Sequence, residues 1–225
     1  MKSLDLITGA SAPKKESLVD KINRICEEGN KPSAASAAGQ FNPLSLFSSL
    51  GGMAYGANSS GSGEYITPPA NAQEMIKTTV ERFEGGLSDH KADRGGRTYK
   101  GITSSEYQKY RQQKGLPAQD VAKMSDAEMN EIYYNSYMVP SGAAALIEKD
   151  PKLAYALFDT AVLYGVGTAK RMLQESGGTV EGLLNARERR NYEIVNRNPS
   201  QSVFLKGWNN RVATLKKMLL TNREA

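Results

Sequence analysis

The sequence contains very little cysteine and histidine. Cys26 and His90 are the single representatives of their types among 225 residues. One cysteine cannot form an intrachain disulfide, and one histidine cannot build a histidine-rich metal site. We therefore expect a fold without disulfides and a chemistry that uses neither metal nor cofactor. We interpret Cys26 as a small helix residue and His90 as a surface loop residue.

The sequence also lacks long apolar segments. No stretch is apolar for long enough to cross a bilayer, and residues 1–15 lack the continuous apolar run of a signal peptide. We therefore expect synthesis in a cytoplasm and no stable membrane insertion. If the substrate lies outside the cytoplasm, another component must deliver the protein.

The excess of positive charge is small. Lys and Arg number 29 against 24 Asp and Glu, which gives a formal net charge of +5. This charge suits a polyanionic partner such as nucleic acid, membrane or bacterial cell wall, but it does not distinguish among them. Arg94, Arg97 and Lys100 form a basic run that could grip phosphate. A single run is more typical of a solvated loop, so we expect no nucleic-acid partner.

Composition divides the chain into three segments. Residues 1–29 contain a short amphipathic helix at 13–28, with a proline at its start and a glycine after its end. Residues 30–70 are rich in Ser, Ala, Gly and Pro, which predicts a flexible linker. The linker contains an apolar island at 41–50 that could pack on the folded domain or on another protein. Residues 71–225 have the helical texture of a folded domain.

Capping signatures mark three helix starts in that domain. In each, an Asn, Thr or Ser is followed three residues later by Glu, which satisfies free amide groups at a helix start. The pairs are Asn71 with Glu74, Thr103 with Glu106, and Ser125 with Glu128. The predicted helices cover about 72–84, 103–114, 125–140, 152–164 and 168–175, and a last one opens near Pro199. The stretch 86–102 is the one place for strand, as a small β-hairpin, so the predicted fold class is mainly α.

Two carboxyls flank this hairpin stretch. Glu84 lies in the last turn of a predicted helix, where the negative end of the helix dipole and packing beside Phe83 favour its protonated form. A neutral carboxylic acid is what protonation of a glycosidic oxygen requires. Asp93 follows across a glycine-containing turn, and Thr98 adds a hydroxyl that could orient water. Glu84 and Asp93 together provide the two carboxyls that a glycosidase requires. Both residues also fit an ordinary helix end and an ordinary turn.

A series of short motifs runs through residues 71–220. The motifs are Glu84-Gly85-Gly86, Ala92-Asp93, Gly95-Gly96, Thr98, Gly101-Ile102-Thr103, Ile132-Tyr133 with Tyr137, residues 158–162 with Gly165, Leu173-Gln174, and Asn198-Pro199 with Phe204, Gly207-Trp208 and Arg211. Together they resemble the signature of glycoside hydrolase family 108, lysozyme-like N-acetylmuramidases of bacteriophages and bacteria related to proteins once called secretion activators. The resemblance implies a mainly helical, α+β lysozyme-like fold with a small β-hairpin beside the active-site cleft.

The resemblance also implies roles for individual residues. The spacing of Glu84, Asp93 and Thr98 is similar to that of the tailed-phage lysozymes that hydrolyse with inversion. By that analogy Glu84 protonates the oxygen between N-acetylmuramic acid and N-acetylglucosamine. Asp93 then stabilises the oxocarbenium-like transition state or activates water, and Thr98 holds that water. The substrate-binding candidates are Tyr99, Asp159, Tyr164 and Gln174, with a buried helix-to-helix tie as the alternative role for Asp159.

The chain departs from the family pattern at four positions. Arg94 stands where a proline is common, Lys100 where an aromatic residue is common, Met138 in place of Trp and Leu163 in place of Asn. These departures leave Glu84 unchanged. They leave the specificity of the cleft and the role of Asp93 open.

One leading hypothesis and two alternatives follow. The leading hypothesis is a peptidoglycan hydrolase, an endolysin or virion-associated muramidase, made in the host cytoplasm and delivered to periplasmic peptidoglycan through membrane pores or by injection. The first alternative is a lytic transglycosylase, which needs only Glu84. The second is a virion structural protein that keeps the fold to bind cell wall, with residues 1–70 as a tether to virion proteins.

Overall fold

The structure is a computed structural model that describes residues 67–84, 86–87 and 97–221. The predicted N-terminal helix and the apolar island of the linker lie outside the described residues. Asp93, His90 and Cys26 lie outside them as well, so the roles assigned to these residues stay predictions.

Helices make up most of the described chain. In order, the elements are α1 Ala72–Phe83, β1 Thr98–Tyr99, β2 Ile102–Thr103, α2 Ser104–Gln113, a 3₁₀ turn Val121–Lys123, α3 Asp126–Tyr133, a π-helical turn Tyr134–Met138, α4 Val139–Ser141, a 3₁₀ turn Ala143–Leu146, α5 Pro151–Tyr164, α6 Val166–Glu175, α7 Val180–Arg197, a 3₁₀ turn Pro199–Gln201 and α8 Ser202–Leu220. The predicted mainly α class with a small hairpin is confirmed. Within the described ranges, no helix is long and apolar enough to cross a membrane.

The three predicted helix caps form. At α3 the capping box is complete, because the Glu128 amide donates to the Ser125 hydroxyl at 3.2 Å and the Ser125 amide donates to the Glu128 carboxylate at 3.0 Å. At the other two helices the cap side chain accepts one amide bond. These bonds run from the Glu74 amide to Asn71 Oδ1 at 2.9 Å and from the Glu106 amide to Thr103 Oγ1 at 3.2 Å. Local sequence therefore fixes where α1, α2 and α3 begin.

The helix predicted to run toward Pro140 is interrupted by a π-helical turn. The amide of Val139 donates to the carbonyl of Tyr134, five residues earlier. Pro140 has no amide hydrogen, and its ring crowds the preceding turn, so the regular hydrogen-bond ladder cannot continue through it. Tyr133, just before this turn, and Tyr137, within it, both face the core, with ring centroids 5.7 Å apart.

Helix α5 lies at the centre of the domain. Every residue from Leu153 to Tyr164 is buried, as expected for a helix that is apolar on all sides. It packs against α6 and α7, and α8 packs along α7. Because α5 offers no exposed face, the single carboxylate within this span, that of Asp159, requires buried partners of opposite charge.

The hairpin predicted within 86–102 forms over β1 and β2. The strands are antiparallel, with Thr98 opposite Thr103 and Tyr99 opposite Ile102. The two turn residues, Lys100 and Gly101, have φ angles of 48° and 77°. Positive φ at both central positions is the geometry of the two-residue turn that matches the natural twist of a hairpin.

Candidate active site

Glu84 ends α1 and begins the excursion toward the hairpin. Its amide still donates to the carbonyl of Val80 at 3.2 Å, but its own backbone is extended, with φ −103° and ψ 135°. The side chain is 9% exposed. Burial raises the pKa of the Glu84 carboxyl above its ordinary value, and the neighbouring Arg211 opposes this shift without cancelling it. The neutral form of this carboxyl is therefore more favoured than that of a solvent-exposed glutamate.

The turn of the hairpin fits closely against Glu84. A Cβ atom built on Gly101 would lie 3.1 Å from Glu84 Oε2, and it would lie closer to the Tyr133 hydroxyl than real Cβ atoms approach. The Tyr133 hydroxyl donates to the carbonyl of Lys100 at 2.9 Å, which ties the turn to α3. Glycine is therefore required at position 101 both for the backbone conformation and for the space beside the acid.

Arg211 of α8 pairs with Glu84 from the other side. Its Nη1 donates to Glu84 Oε1 at 3.1 Å, and the guanidinium lies 4.4 Å from the centre of the Phe83 ring. The Arg211 side chain is 1% exposed. This contact joins two residues 127 positions apart in the sequence.

Asp159 binds the same arginine from within α5. Arg211 donates from Nη2 to Oδ2 at 2.8 Å and from Nε to Oδ1 at 3.1 Å, and Arg187 of α7 donates to Oδ1 at 2.7 Å. Burial alone would raise the pKa of Asp159, but the two guanidiniums hold it below its ordinary value. We call the residues Glu84, Arg211, Asp159 and Arg187 the buried ion network.

Asp159 was predicted to contact substrate, with a buried tie as the alternative. Its side chain is fully buried, so the substrate-binding prediction is corrected. The two arginine partners occupy both of its carboxylate oxygens. The geometry is that of a tie between α5, α7 and α8, since a carboxylate enclosed in this way cannot reach a ligand in a cleft.

Thr98 and Tyr99 lie on β1, the strand that leads into the turn beside Glu84. Thr98 is 5% exposed, and Tyr99 is half-buried with the Lys100 ammonium 5.3 Å from its ring centre. The structure thus places both predicted residues on the strand that leads into the turn beside Glu84. Their roles in holding water and substrate stay predictions.

Tyr164 and Gln174 occupy different surroundings. Tyr164 is buried in a small cluster with Ile194 and Trp208, and its hydroxyl donates to the side chain of Asn191. Gln174 is exposed on α6. A buried tyrosine with its hydroxyl already engaged is placed as a core residue, whereas Gln174 remains open to solvent.

Glu106 is a second carboxyl with an altered proton affinity. Its Oε2 is buried and has no hydrogen-bond partner within the described residues. Burial raises its pKa to about 7, against the opposing effects of the Thr103 backbone and Lys109. The charges of Glu106 and Glu84 both act on the phenol of Tyr137, whose pKa burial already raises well above its ordinary value. The hairpin region therefore holds two carboxyls whose pKa values are raised by burial.

The sequence pattern alone predicts no role for Arg187 and Arg211. Both lie on the apolar faces of their helices: Arg211 falls between Trp208 and Leu215, and Arg187 follows Leu184 by three positions. An arginine at the buried positions of an amphipathic helix is a signal that it has a buried acidic partner. The pattern does not identify that partner. Among the residues that the structure describes, no cluster of three or more His, Cys, Asp or Glu could hold a metal ion.

Comparison with known proteins gives one family and one fold. Residues 77–165 match the family model described as glycosyl hydrolase 108. Among solved structures, the chain is similar to that titled "Structure of Brucella abortus SagA", with 22% identity and a TM-score of 0.51, over 66% of this chain and 93% of that one. No curated protein matches the chain. The structural likeness shows the fold, and the family match falls on the region that contains Glu84 and the hairpin.

Proposed function

We propose that this chain, which belongs to glycosyl hydrolase family 108 through its residues 77–165, is an N-acetylmuramidase whose general acid is Glu84. The family supports a glycoside hydrolase with a lysozyme-like action on peptidoglycan. The proposal adds the bond, which is the β-1,4 linkage between N-acetylmuramic acid and N-acetylglucosamine, and the acid. The observation that carries it is the Glu84 carboxyl, 9% exposed at the end of α1, against the hairpin turn.

The surroundings of Glu84 suit both states that a general acid must pass through. Before the reaction, burial favours the protonated carboxyl, which can donate to the glycosidic oxygen. That oxygen then leaves as the 4-hydroxyl of N-acetylglucosamine. After the transfer, the Arg211 Nη1 hydrogen bond at 3.1 Å stabilises the carboxylate that remains. Burial therefore favours the protonated form of Glu84, and Arg211 favours the ionised form.

The water that completes hydrolysis requires a second group. Attack of water on C1 of N-acetylmuramic acid produces a reducing end and releases one proton. We assign the activation of this water to Asp93 and its orientation to Thr98, which lies on β1 beside the turn that contacts Glu84. With a second carboxyl on the opposite face of the sugar, the reaction proceeds with inversion.

The biological setting belongs to the same proposal. A phage endolysin or virion-associated enzyme would be made in the host cytoplasm and would reach periplasmic peptidoglycan through membrane pores or by injection. In the second case, residues 1–70 contact virion proteins. The test is digestion of purified peptidoglycan by a fragment without residues 1–70, since undiminished activity is expected if that segment serves location alone.

The decisive test is mass spectrometry of purified peptidoglycan digested by the wild type, Glu84→Gln and Glu81→Gln. Glu84→Gln keeps the shape of the side chain and removes the proton. Glu81→Gln, on the exposed face of the same helix, is the matched control. We expect muropeptides with reducing N-acetylmuramic acid ends from the wild type and the control, and none from Glu84→Gln.

Other products lead to different conclusions. Anhydro ends would identify a lytic transglycosylase, and undigested sacculi that still retain the protein would identify a cell-wall-binding protein. Full activity of Glu84→Gln would refute the assignment of the acid.

A further inference from the structure

The buried ion network contains an arginine whose hydrogen bonds are incomplete. Arg187 is fully buried, yet its Nε and Nη2 make no hydrogen bond within the described part of the chain. Its Nη1 reaches Asp159, and its guanidinium lies 5.6 Å from the centre of the Tyr164 ring. Burying an incompletely bonded arginine is unfavourable, and buried ion pairs often add little to stability compared with apolar packing. A functional reason for this arrangement is therefore more informative than a structural one.

The geometry of Arg211 supplies that reason. One edge of its planar guanidinium, Nε and Nη2, binds both oxygens of Asp159 at 3.1 and 2.8 Å. This two-point contact fixes the plane and the direction of the group. Only Nη1 then points to Glu84, and it makes one bond of 3.1 Å. Without Asp159, the guanidinium could turn and bind the Glu84 carboxyl at two points.

We propose that Asp159 is a positioning residue for the catalytic acid: it holds Arg211 so that the guanidinium makes one bond to Glu84 and orients its carboxyl. Arg187, which donates to the same carboxylate at 2.7 Å, adds to the stabilisation of ionised Asp159 that Arg211 already provides. The proposal rests on the proposed function of Glu84 and extends it to a residue that contacts neither substrate nor reacting atoms.

The charges of the network determine the direction of the expected effects. With Glu84 ionised, the two arginines and two carboxylates sum to zero, and with Glu84 protonated they sum to +1. Removing the charge of Asp159 adds one positive unit to both sums, which favours ionised Glu84. Removing the charge of Arg187 subtracts one unit, which favours protonated Glu84.

Other groups also face Glu84, and the substitutions leave them in place. They are Arg211 from α8, Tyr133 from α3, Tyr137 from the π-helical turn and, through those tyrosines, Glu106 from α2. The ammonium of Lys100, in the hairpin turn, binds Asp126 at 2.6 Å. A change in the titration of Glu84 in the variants therefore reports on Asp159 and Arg187.

The experiment compares Asp159→Asn, Arg187→Gln and Glu188→Gln in the full chain. The ¹³C-carboxyl resonance of Glu84, identified by its absence in Glu84→Gln, is titrated by NMR, and kcat and KM on peptidoglycan are measured across pH. For Asp159→Asn, the Glu84 titration and the alkaline limb of kcat move to lower pH. In addition, kcat at its optimum falls about 10- to 100-fold with little change in KM, because the acid is misplaced. For Arg187→Gln, the Glu84 titration and the alkaline limb of kcat move to higher pH.

Glu188→Gln is the matched control. It removes the half-exposed ion pair between Glu188 on α7 and Lys216 on α8, the two helices that carry Arg187 and Arg211. We therefore expect no change in the titration of Glu84 or in kcat. If Asp159→Asn does not fold, Arg187→Gln carries the test, because it leaves the Arg211 contact with Asp159 in place. Shifts in the same direction for both variants, or no shift, would overturn the proposal.

The two proposals fail in different ways. An active Glu84→Gln variant removes the proposed function, while the NMR titration still measures whether Asp159 controls Glu84. An inactive Glu84→Gln variant together with unshifted titrations in Asp159→Asn and Arg187→Gln removes only the positioning role.

Discussion

The unpartnered Oε2 of the Glu106 carboxyl, which has no hydrogen bond within the described residues, gives the domain a stability that depends on pH. Burial raises the pKa of Glu106 from 4.5 to about 7. Between these two pH values the folded protein retains a proton that the unfolded chain has released. Folding stability therefore falls as pH rises through this window, is unaffected by Glu106 below it, and stays reduced above it.

The size of the effect follows from the shift. A pKa raised from 4.5 to about 7, at about 1.36 kcal/mol for each whole step in pKa, corresponds to about 3 kcal/mol. Between pH 5 and pH 8 the linkage relation gives about 2.5 kcal/mol of this loss. Glu106→Gln removes the titration, so its free energy of unfolding should fall less than that of the wild type between these pH values, by about that amount.

The assay is urea unfolding of both proteins at pH 5 and pH 8, followed by circular dichroism. The comparison across pH cancels any constant cost of burying a side-chain amide in place of the Glu106 carboxyl. The control is Glu131→Gln, because Lys114 lowers the pKa of Glu131 and its contribution is lost only at acidic pH. The control should match the wild type between pH 5 and pH 8. Equal pH dependence in Glu106→Gln and the wild type would refute the reasoning.

The hairpin turn provides two further predictions. Gly101→Ala should destabilise the domain by about 1–3 kcal/mol and reduce activity, measured by urea unfolding and lysis. Gly115→Ala is the control, because Gly115 has a similar φ of +67° but open space around it, so this change should destabilise the domain less. Adding Tyr133→Phe to Gly101→Ala should restore part of the lost stability. Equal destabilisation by Gly101→Ala and Gly115→Ala would contradict the close contact at Gly101. Lys100→Gly should raise stability by up to about 1 kcal/mol because it relieves a positive φ of 48°. Lys100→Gly also removes the ion pair between Lys100 and Asp126. Asp126→Asn removes that pair without changing the backbone, so it should show no gain in stability.

Local features of the domain could be predicted from the sequence. The caps at Asn71, Thr103 and Ser125 depend on residues three positions apart, and the hairpin depends on a short polar stretch with a glycine in its turn. The π-helical turn before Pro140 was not predicted, although the proline that causes it is visible. The last helix begins at Ser202 rather than near Pro199, because residues 199–201 form a 3₁₀ turn first. The exact ends of helices are less predictable from sequence than the helices themselves.

The candidate site was predictable only where it is local. Glu84 could be proposed as a carboxyl of raised pKa from its place beside Phe83 at a helix end, and burial does raise its pKa, but its partners Arg211 and Asp159 could not be predicted. The role of Asp159 could not, since a carboxylate in an apolar helix fits either a cleft or a buried ion pair. The contacts that decide between them span 28 and 52 residues. Helical periodicity identifies which face of a helix is buried, but it does not identify the element against which that face packs.

The length of these contacts has a consequence for the acid itself. Glu84 ends the first described helix, and Arg211, which opposes its neutral form, lies on the last one. Asp159 on α5 and Arg187 on α7 complete the network. The proton affinity of Glu84 is therefore a property of the packed domain and not of the motif that surrounds it. A change that loosens α8 against α7 should alter the pH dependence of catalysis before it unfolds the protein, because the ion network loses its geometry before the apolar core of α5 is exposed.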